Sequence, residues 1–296
     1  MSGSAPDGFV TSADGTRIAW WAEQPAGHEP GASEADPDAP PAASHPPIVL
    51  VHGATADHTA FRAVGPRLAE RRRAISIDRR GRGASGDRPP YAIEREYEDV
   101  AAVVDWLAGQ GDGPVDVVGH SFGGRCGLGA ARLTSNLRRL VVYEGAPAPP
   151  GRAFQDPVLL ARFDRLAADG DLDALMATFM GQVVGLSDAE VEAYRRSPTW
   201  PLRAAAAPTA IRELRAEAGR DAGVERLAEV RIPVLQLVGG ASPAIFRNGI
   251  AELDRLLPDG RIVTLAGQKH AAHHTDPAAF VAAVEAFLDA RDTIAS

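Results

Sequence analysis

The sequence has one cysteine, Cys126, which excludes an intramolecular disulfide framework; within a small-residue helical stretch it reads as an inert packed thiol. It has no apolar run long enough to span a bilayer. Met1 to Gly8 carry neither the basic cluster nor the hydrophobic stretch of a signal peptide, so the expected location is cytoplasmic, with no membrane partner. A basic excess is missing as well. The net charge of −8 argues against a nucleic-acid surface, and the local cluster of Arg71 to Arg73 and Arg79 to Arg88 reads as solvated helix ends and loop salt bridges. His273-His274 could serve as a metal handle, but no paired carboxylates or thiols stand nearby, so no metal is expected. Internal repeats are absent.

What remains is a soluble, globular composition. With 296 residues and 45% hydrophobic content the chain can bury a large core. A hairpin is expected from Gly8 to Thr11 and Arg17 to Ala22 around Asp14-Gly15, after which strands alternate with helices through Leu140. That alternation means an α/β fold with a mostly parallel sheet covered on both faces. Helices are expected near 58–70, 93–109, 122–132, 246–256 and 278–290. Residues Gln24 to Pro47 are rich in proline, alanine and acids and read as a mobile surface loop. Between Glu144 and Ile232 helical segments are broken by Pro149-Pro150, Pro157, Pro198, Pro201 and Pro208.

Three motifs carry chemistry. Val115 to Gly124 is a buried strand running into Gly119-His120-Ser121-Phe122-Gly123 and then a helix. Glycines at that spacing relieve the crowding of a sharp turn that lifts the serine Oγ above the sheet edge. The strand Ile48 to Val51 stops at His52-Gly53-Ala54, and the strand Ala74 to Ile77 at Asp78-Arg79-Arg80-Gly81-Arg82-Gly83-Ala84-Ser85-Gly86. The last stretch formally contains a dinucleotide fingerprint, but Arg88-Pro89-Pro90 stops the helix it would have to open, so no nucleotide cofactor is expected.

On these residues the chain resembles the α/β-hydrolase superfamily. The resemblance implies eight strands, a core of 1–144 and 231–296, and an inserted helical cap of 145–230. It implies Ser121 as nucleophile, the backbone N–H groups of Ala54 and Phe122 as oxyanion donors, and a structural role for His52. His270 follows the expected last strand, Arg261 to Leu265, and occupies the position of the base; His273 and His274 are its competitors, otherwise read as a polar helix entry. Most relatives carry an aspartate after strand seven, here Pro233 to Val238, whereas this chain has Gly239-Gly240-Ala241-Ser242-Pro243. Glu144, ending strand six, keeps the order nucleophile, acid, base, as in the branches that place the acid there. Its alternatives are a strand-end carboxylate paired with a lid arginine, a role for Asp254 on a solvated helix face, or a weak dyad helped by Ser242. Asp78 precedes the nucleophile, the wrong order for this family.

The pocket candidates in the cap are Met176, Phe179, Met180 and Trp200, then Tyr194 and Leu202, each with packing between cap helices as its alternative. The implied activity is hydrolysis of a small or medium carboxylic ester or lactone through an acyl-enzyme, with a small-molecule substrate and no cofactor. Carbon–carbon bond hydrolysis, perhydrolysis, acyl transfer and a non-catalytic binding role stay open.

Overall fold

A computed structural model describes residues 4–25, 45–147, 156–217 and 222–290. Most of the segment expected as a mobile loop, 26–44, lies outside the described residues, as do Pro149 and Pro150. The first two strands, β1 (Gly8–Thr11) and β2 (Arg17–Ala22), pair antiparallel. Asp14 closes their turn by accepting from the Thr16 N–H at 2.9 Å, an Asx turn.

Four runs follow that are mostly apolar and buried almost throughout, with polar exceptions that include Ser76, Asp116, Arg138 and Arg139: β3 (Ile48–Val51), β4 (Ala74–Ile77), β5 (Val115–His120) and β6 (Leu137–Tyr143). Strands of that composition suit only the middle of a sheet covered on both sides. They pair parallel, with Val49 beside both Ile75 and Val117. β7 (Val234–Gly239) and the half-exposed edge strand β8 (Gly260–Leu265) complete a sheet of eight in the order β1-β2-β4-β3-β5-β6-β7-β8. The chain is thus an α/β fold with a mostly parallel eight-stranded sheet.

Helices cover both faces. The segment 58–70, expected as one helix, is divided into a 3-10 turn at His58–Phe61, capped by Asp57, and α1 (Gly65–Ala69). Pro66 has no N–H for a continuous helical ladder but is tolerated in a first turn. α2 (Ile93–Leu107) and α3 (Phe122–Ala130) pack on one face. Between β6 and β7 come α4 (Pro157–Ala168), α5 (Leu172–Phe179), a π turn at Met180–Val184, α6 (Asp188–Arg195), α7 (Trp200–Ala216) and α8 (Val224–Leu227). Then follow α9 (Ala244–Leu256), α10 (Ala272–Thr275) and α11 (Pro277–Leu288).

Val224 and Leu227 of α8 join the core of the sheet face that carries α2 and α3, whereas α4 to α7 bury an apolar cluster of their own. Pro208, expected to break a helix, lies inside α7, and Pro201 and Pro157 stand in first turns. No helix among the described residues is long and apolar enough to cross a membrane.

The arginine cluster departs most from expectation. Arg72, Arg79, Arg80 and Arg82 are each at most 3% exposed, so they are not solvated. The loop after β4 runs beneath α7, where carboxylates from separate helices meet it. Arg79 donates to Glu96 of α2 at 3.0 Å and to Glu213 of α7; Arg82 reaches the same Glu213 oxygen at 2.5 Å; Arg80 forks onto Asp99 of α2 at 2.6 and 2.7 Å. A buried arginine requires such partners, because an uncompensated charge in the interior costs several kcal/mol. Glu213 thereby ties the helical insertion to the sheet. Replacing it with alanine leaves Arg79 and Arg82 short of a counter-charge, and chemical denaturation is expected to show a loss of about 3–5 kcal/mol.

Candidate active site

Ser121 sits between β5 and α3 at φ 51°, ψ −125°, a left-handed conformation that L-residues rarely adopt. The turn is tight enough to dictate its neighbours. A Cβ on Gly119 would stand 2.4 Å from Gly124 Cα, and one on Gly123 would stand 2.2 Å from the Val51 carbonyl oxygen. The Ser121 N–H is fixed on the Tyr143 carbonyl at 2.8 Å. Phe122 opens α3, so its N–H has no acceptor within the helix. Ala54 precedes Thr55, which is also left-handed at φ 58°, and Ala54 and Phe122 border one cavity with Ser121. His52 is a fixture of this turn: its Nδ1 donates to the Gly53 carbonyl at 2.8 Å and its Nε2 accepts from Arg79 N–H at 3.0 Å. Burial and the Arg79 charge hold its pKa well below the usual imidazole value.

Glu144 leaves β6 at φ 48° and is 2% exposed. Its Oε1 accepts from the Gly239 N–H at 2.7 Å, and its Oε2 lies 2.6 Å from His270 Nδ1. β7 thus contributes a backbone donor to Glu144, and the carboxylate beside His270 comes from the end of the neighbouring strand β6. Among the described residues no arginine takes part in that contact. A carboxylate can only accept, so His270 carries its proton on Nδ1 and leaves Nε2 as an acceptor.

Several groups hold the His270 loop. The Tyr143 hydroxyl donates to the Lys269 carbonyl and accepts from Ala272 N–H at 2.9 Å. His120 Nε2 donates to the His270 carbonyl at 2.8 Å, and the Phe246 ring stacks on the imidazole at 4.5 Å. Neither His120 nor Tyr143 was singled out from the sequence. Their only signal is position, the variable residue before the serine and the residue before the acid.

His273 is not at a polar helix entry. It is 2% exposed, between Phe61, Phe280 and His120. Burial pushes the pKa values of His120 and His273 far down, and burial with the charges of Arg62 and Arg203 takes His274 down to about 4. Asp254 accepts from the Gln236 amide at 3.2 Å and is half-buried, not solvated. Ser242 is buried with no hydrogen-bond partner for its hydroxyl. Asp78 organises its loop, accepting from His58 and from Ala84 N–H at 2.8 Å. Cys126 is buried, and burial raises its thiol pKa well above normal, the condition of an inert cysteine.

Ser121 and His270 border two cavities. The smaller also touches Glu144, Phe179, Arg125, Glu213 and Glu217. The larger, about 310 Å³, is walled by Phe179, Met180, Val184, Leu186 and Tyr194 on its apolar side, within the range of small-molecule sites. Of the pocket candidates, Phe179, Met180 and Tyr194 therefore face a cavity. Met176 and Trp200 do not: both belong to the apolar cluster of α4 to α7, Trp200 Nε1 donating to Asp173 at 2.7 Å. Leu202 is on the surface.

A family model described as the alpha/beta hydrolase family matches residues 48–284. The 2-(acetamidomethylene)succinate hydrolase of Mesorhizobium japonicum is 27% identical over 257 residues, 83% of this chain and 89% of that protein. A pimeloyl-[acyl-carrier protein] methyl ester esterase of Neisseria meningitidis is 28% identical over 265 residues, 82% of this chain and 92% of that one. Among solved structures, an alpha/beta hydrolase from Sphaerobacter thermophilus superposes with a TM-score of 0.76 at 34% identity, covering 94% of this chain and 99% of its own. An enol-lactonase from Burkholderia xenovorans shares the fold, with a TM-score of 0.70 at 19% identity over 95% of this chain and 100% of its own.

The buried imidazoles set a pH dependence of stability. His273 refuses a proton that the unfolded chain accepts below about pH 6.5, so its contribution falls as the pH drops. Asp99 and Asp116, raised by burial to about 6, act in the opposite sense, since the folded state takes up their protons first. Urea midpoints between pH 7 and pH 5 are expected to fall less steeply for His273→Phe than for the parent, by up to about 2 kcal/mol at pH 5. Identical slopes would show that His273 is not held neutral.

Proposed function

The chain belongs to the alpha/beta hydrolase family, and from that premise we propose that it is a serine hydrolase of small or medium carboxylic esters or lactones, with Ser121, His270 and Glu144 as its triad. The observation that carries the reading is the 2.6 Å contact between Glu144 and His270 behind a strained serine at the floor of a cavity. It also removes the feature that favoured a non-catalytic role, the missing acid after β7.

In this mechanism His270 Nε2 takes the Ser121 hydroxyl proton as Oγ bonds to the substrate carbonyl carbon. The carbonyl electron pair moves onto oxygen, where the N–H groups of Ala54 and Phe122 are the donors available to it. Collapse of this intermediate breaks the ester bond, and His270 returns the proton to the departing alkoxide; in a lactone that alkoxide stays attached to the acyl group. Water, deprotonated by the same imidazole, then attacks the acyl-enzyme and releases Ser121. Glu144 fixes the tautomer and stabilises the imidazolium that forms twice in each cycle. The apolar wall of Phe179, Met180 and Val184 excludes water around the reacting carbonyl, which strengthens each of these charge contacts.

Intact-mass labelling with a fluorophosphonate is expected to give one adduct on the parent and none on Ser121→Ala or His270→Ala. A folded parent that takes up no label would overturn the activated serine. Glu144→Gln is expected to keep the fold and lower kcat by as much as about 10⁴-fold, measured on any ester the parent cleaves; an unchanged kcat would remove Glu144 from the triad.

A further inference from the structure

The larger cavity carries charge of one sign. Arg62, Arg203 and Lys269 border it, and among the described residues no aspartate or glutamate does, in a chain whose net charge is −8. Two of these cations have local acceptors. Lys269 Nζ is 2.5 Å from Glu190 Oε1, and Arg62 Nη1 donates to the Thr59 carbonyl at 3.3 Å.

Arg203 is different. It is half-buried on α7, and among the described residues its guanidinium has neither an ion pair nor a hydrogen bond. Arg195, Arg212 and Arg215, from the same insertion, each have a carboxylate within 3.0 Å. Arg203 borders this cavity together with Ser121 and His270, and it also lines a second cavity with Asp57 and Thr59. The same cavity as Ser121 is bordered by the apolar side chains of Met180, Val184 and Leu186. A guanidinium that borders a cavity and makes no ion pair is open to a ligand carboxylate, which it can hold through charge-assisted, bidentate hydrogen bonds.

We infer that Arg203, with Arg62 in the same cavity, is a subsite for a carboxylate of the substrate, so that the preferred substrates are half-esters of short dicarboxylic acids or lactones bearing a free carboxylate. The inference rests on the serine-hydrolase reading and narrows it to anionic substrates. The apolar wall accommodates the methylene chain, the guanidinium holds the distal carboxylate, and together they fix the position of the scissile carbonyl over Ser121. Arg203 is in this sense a specificity-determining residue that takes no part in bond making.

The test compares two substrates of equal acyl length, mono-4-nitrophenyl adipate and 4-nitrophenyl hexanoate. The parent is expected to favour the anionic ester by about 10-fold or more in kcat/KM, the scale of one charge-assisted hydrogen bond. Arg203→Gln is expected to abolish most of that preference and Arg203→Lys to retain part of it. Raising NaCl is expected to increase KM for the adipate half-ester and not for the hexanoate. A KM for the adipate half-ester that does not rise with NaCl overturns the carboxylate subsite without recourse to a variant. Equal turnover of the two esters by the parent, or an adipate preference that survives Arg203→Gln, overturns the carboxylate subsite. A parent that labels at Ser121 with fluorophosphonate and cleaves the hexanoate without preference overturns this inference alone. One that neither labels nor turns over either ester overturns the hydrolase reading beneath it.

Discussion

The contact between Glu144 and His270 is the constraint around which the carboxyl ends of β6, β7 and β8 are arranged. One carboxylate oxygen holds the end of β7 through the Gly239 N–H and the other holds the imidazole. Tyr143 sits one residue earlier and bonds the chain on both sides of His270, at Lys269 and Ala272. Strand six thus supplies the Glu144 carboxylate and, from the adjacent position, the Tyr143 hydroxyl that shapes the loop carrying His270. Alternate residues of a strand point to opposite faces; here the chain leaves the strand at Glu144 with φ 48°, which turns both side chains toward the same site.

Ser121, Glu144 and Thr55 are the non-glycine residues with positive φ among the described residues, and all three flank the site. Each such conformation costs on the order of 1–3 kcal/mol and persists only where surrounding structure over-determines it. The fully buried parallel strands β3, β5 and β6 provide that surrounding structure. Ser121 N–H is bonded to the Tyr143 carbonyl and Glu144 N–H to the Leu237 carbonyl, so the strained residues are held by the ladder itself. Strain at the serine and at the acid is therefore part of how the sheet presents them.

Charge is distributed unevenly across the fold. The arginines after β4 are buried and matched by Glu96, Asp99 and Glu213, joining α7 to the sheet. Arg203 lies on that same helix but faces the cavity without a matching carboxylate among the described residues. One helix thus fastens the insertion through Glu213 and carries a cation that borders the same cavity as Ser121. A chain with a net charge of −8 repels anions at long range; a local cluster of cations inside a low-dielectric cleft can reverse that sign at the site.

The strands, the serine turn and the order Ser121, Glu144, His270 were legible in the sequence because each is local: an apolar run of fixed length, glycines at fixed spacing, a residue type at a strand end. Glycine at 119 and 123 is required by the approach of backbone atoms in the turn itself. The partnerships could not be read. Arg79 and Glu213 are far apart in sequence, and an arginine-rich loop looks solvated until α7 is laid over it. His273 reads as polar until α11 and the 3-10 turn enclose it. Met176 and Trp200 could not be told from Phe179 and Met180, since which side of a short helix faces the cavity depends on how the insertion docks. The sequence by itself determined the fold and the chemistry-bearing side chains, through short-range periodicity and backbone sterics. The tertiary structure decided which charges are paired, which imidazoles are kept neutral and which side chains border the cavity, because burial and counter-charge are properties of segments brought together in space.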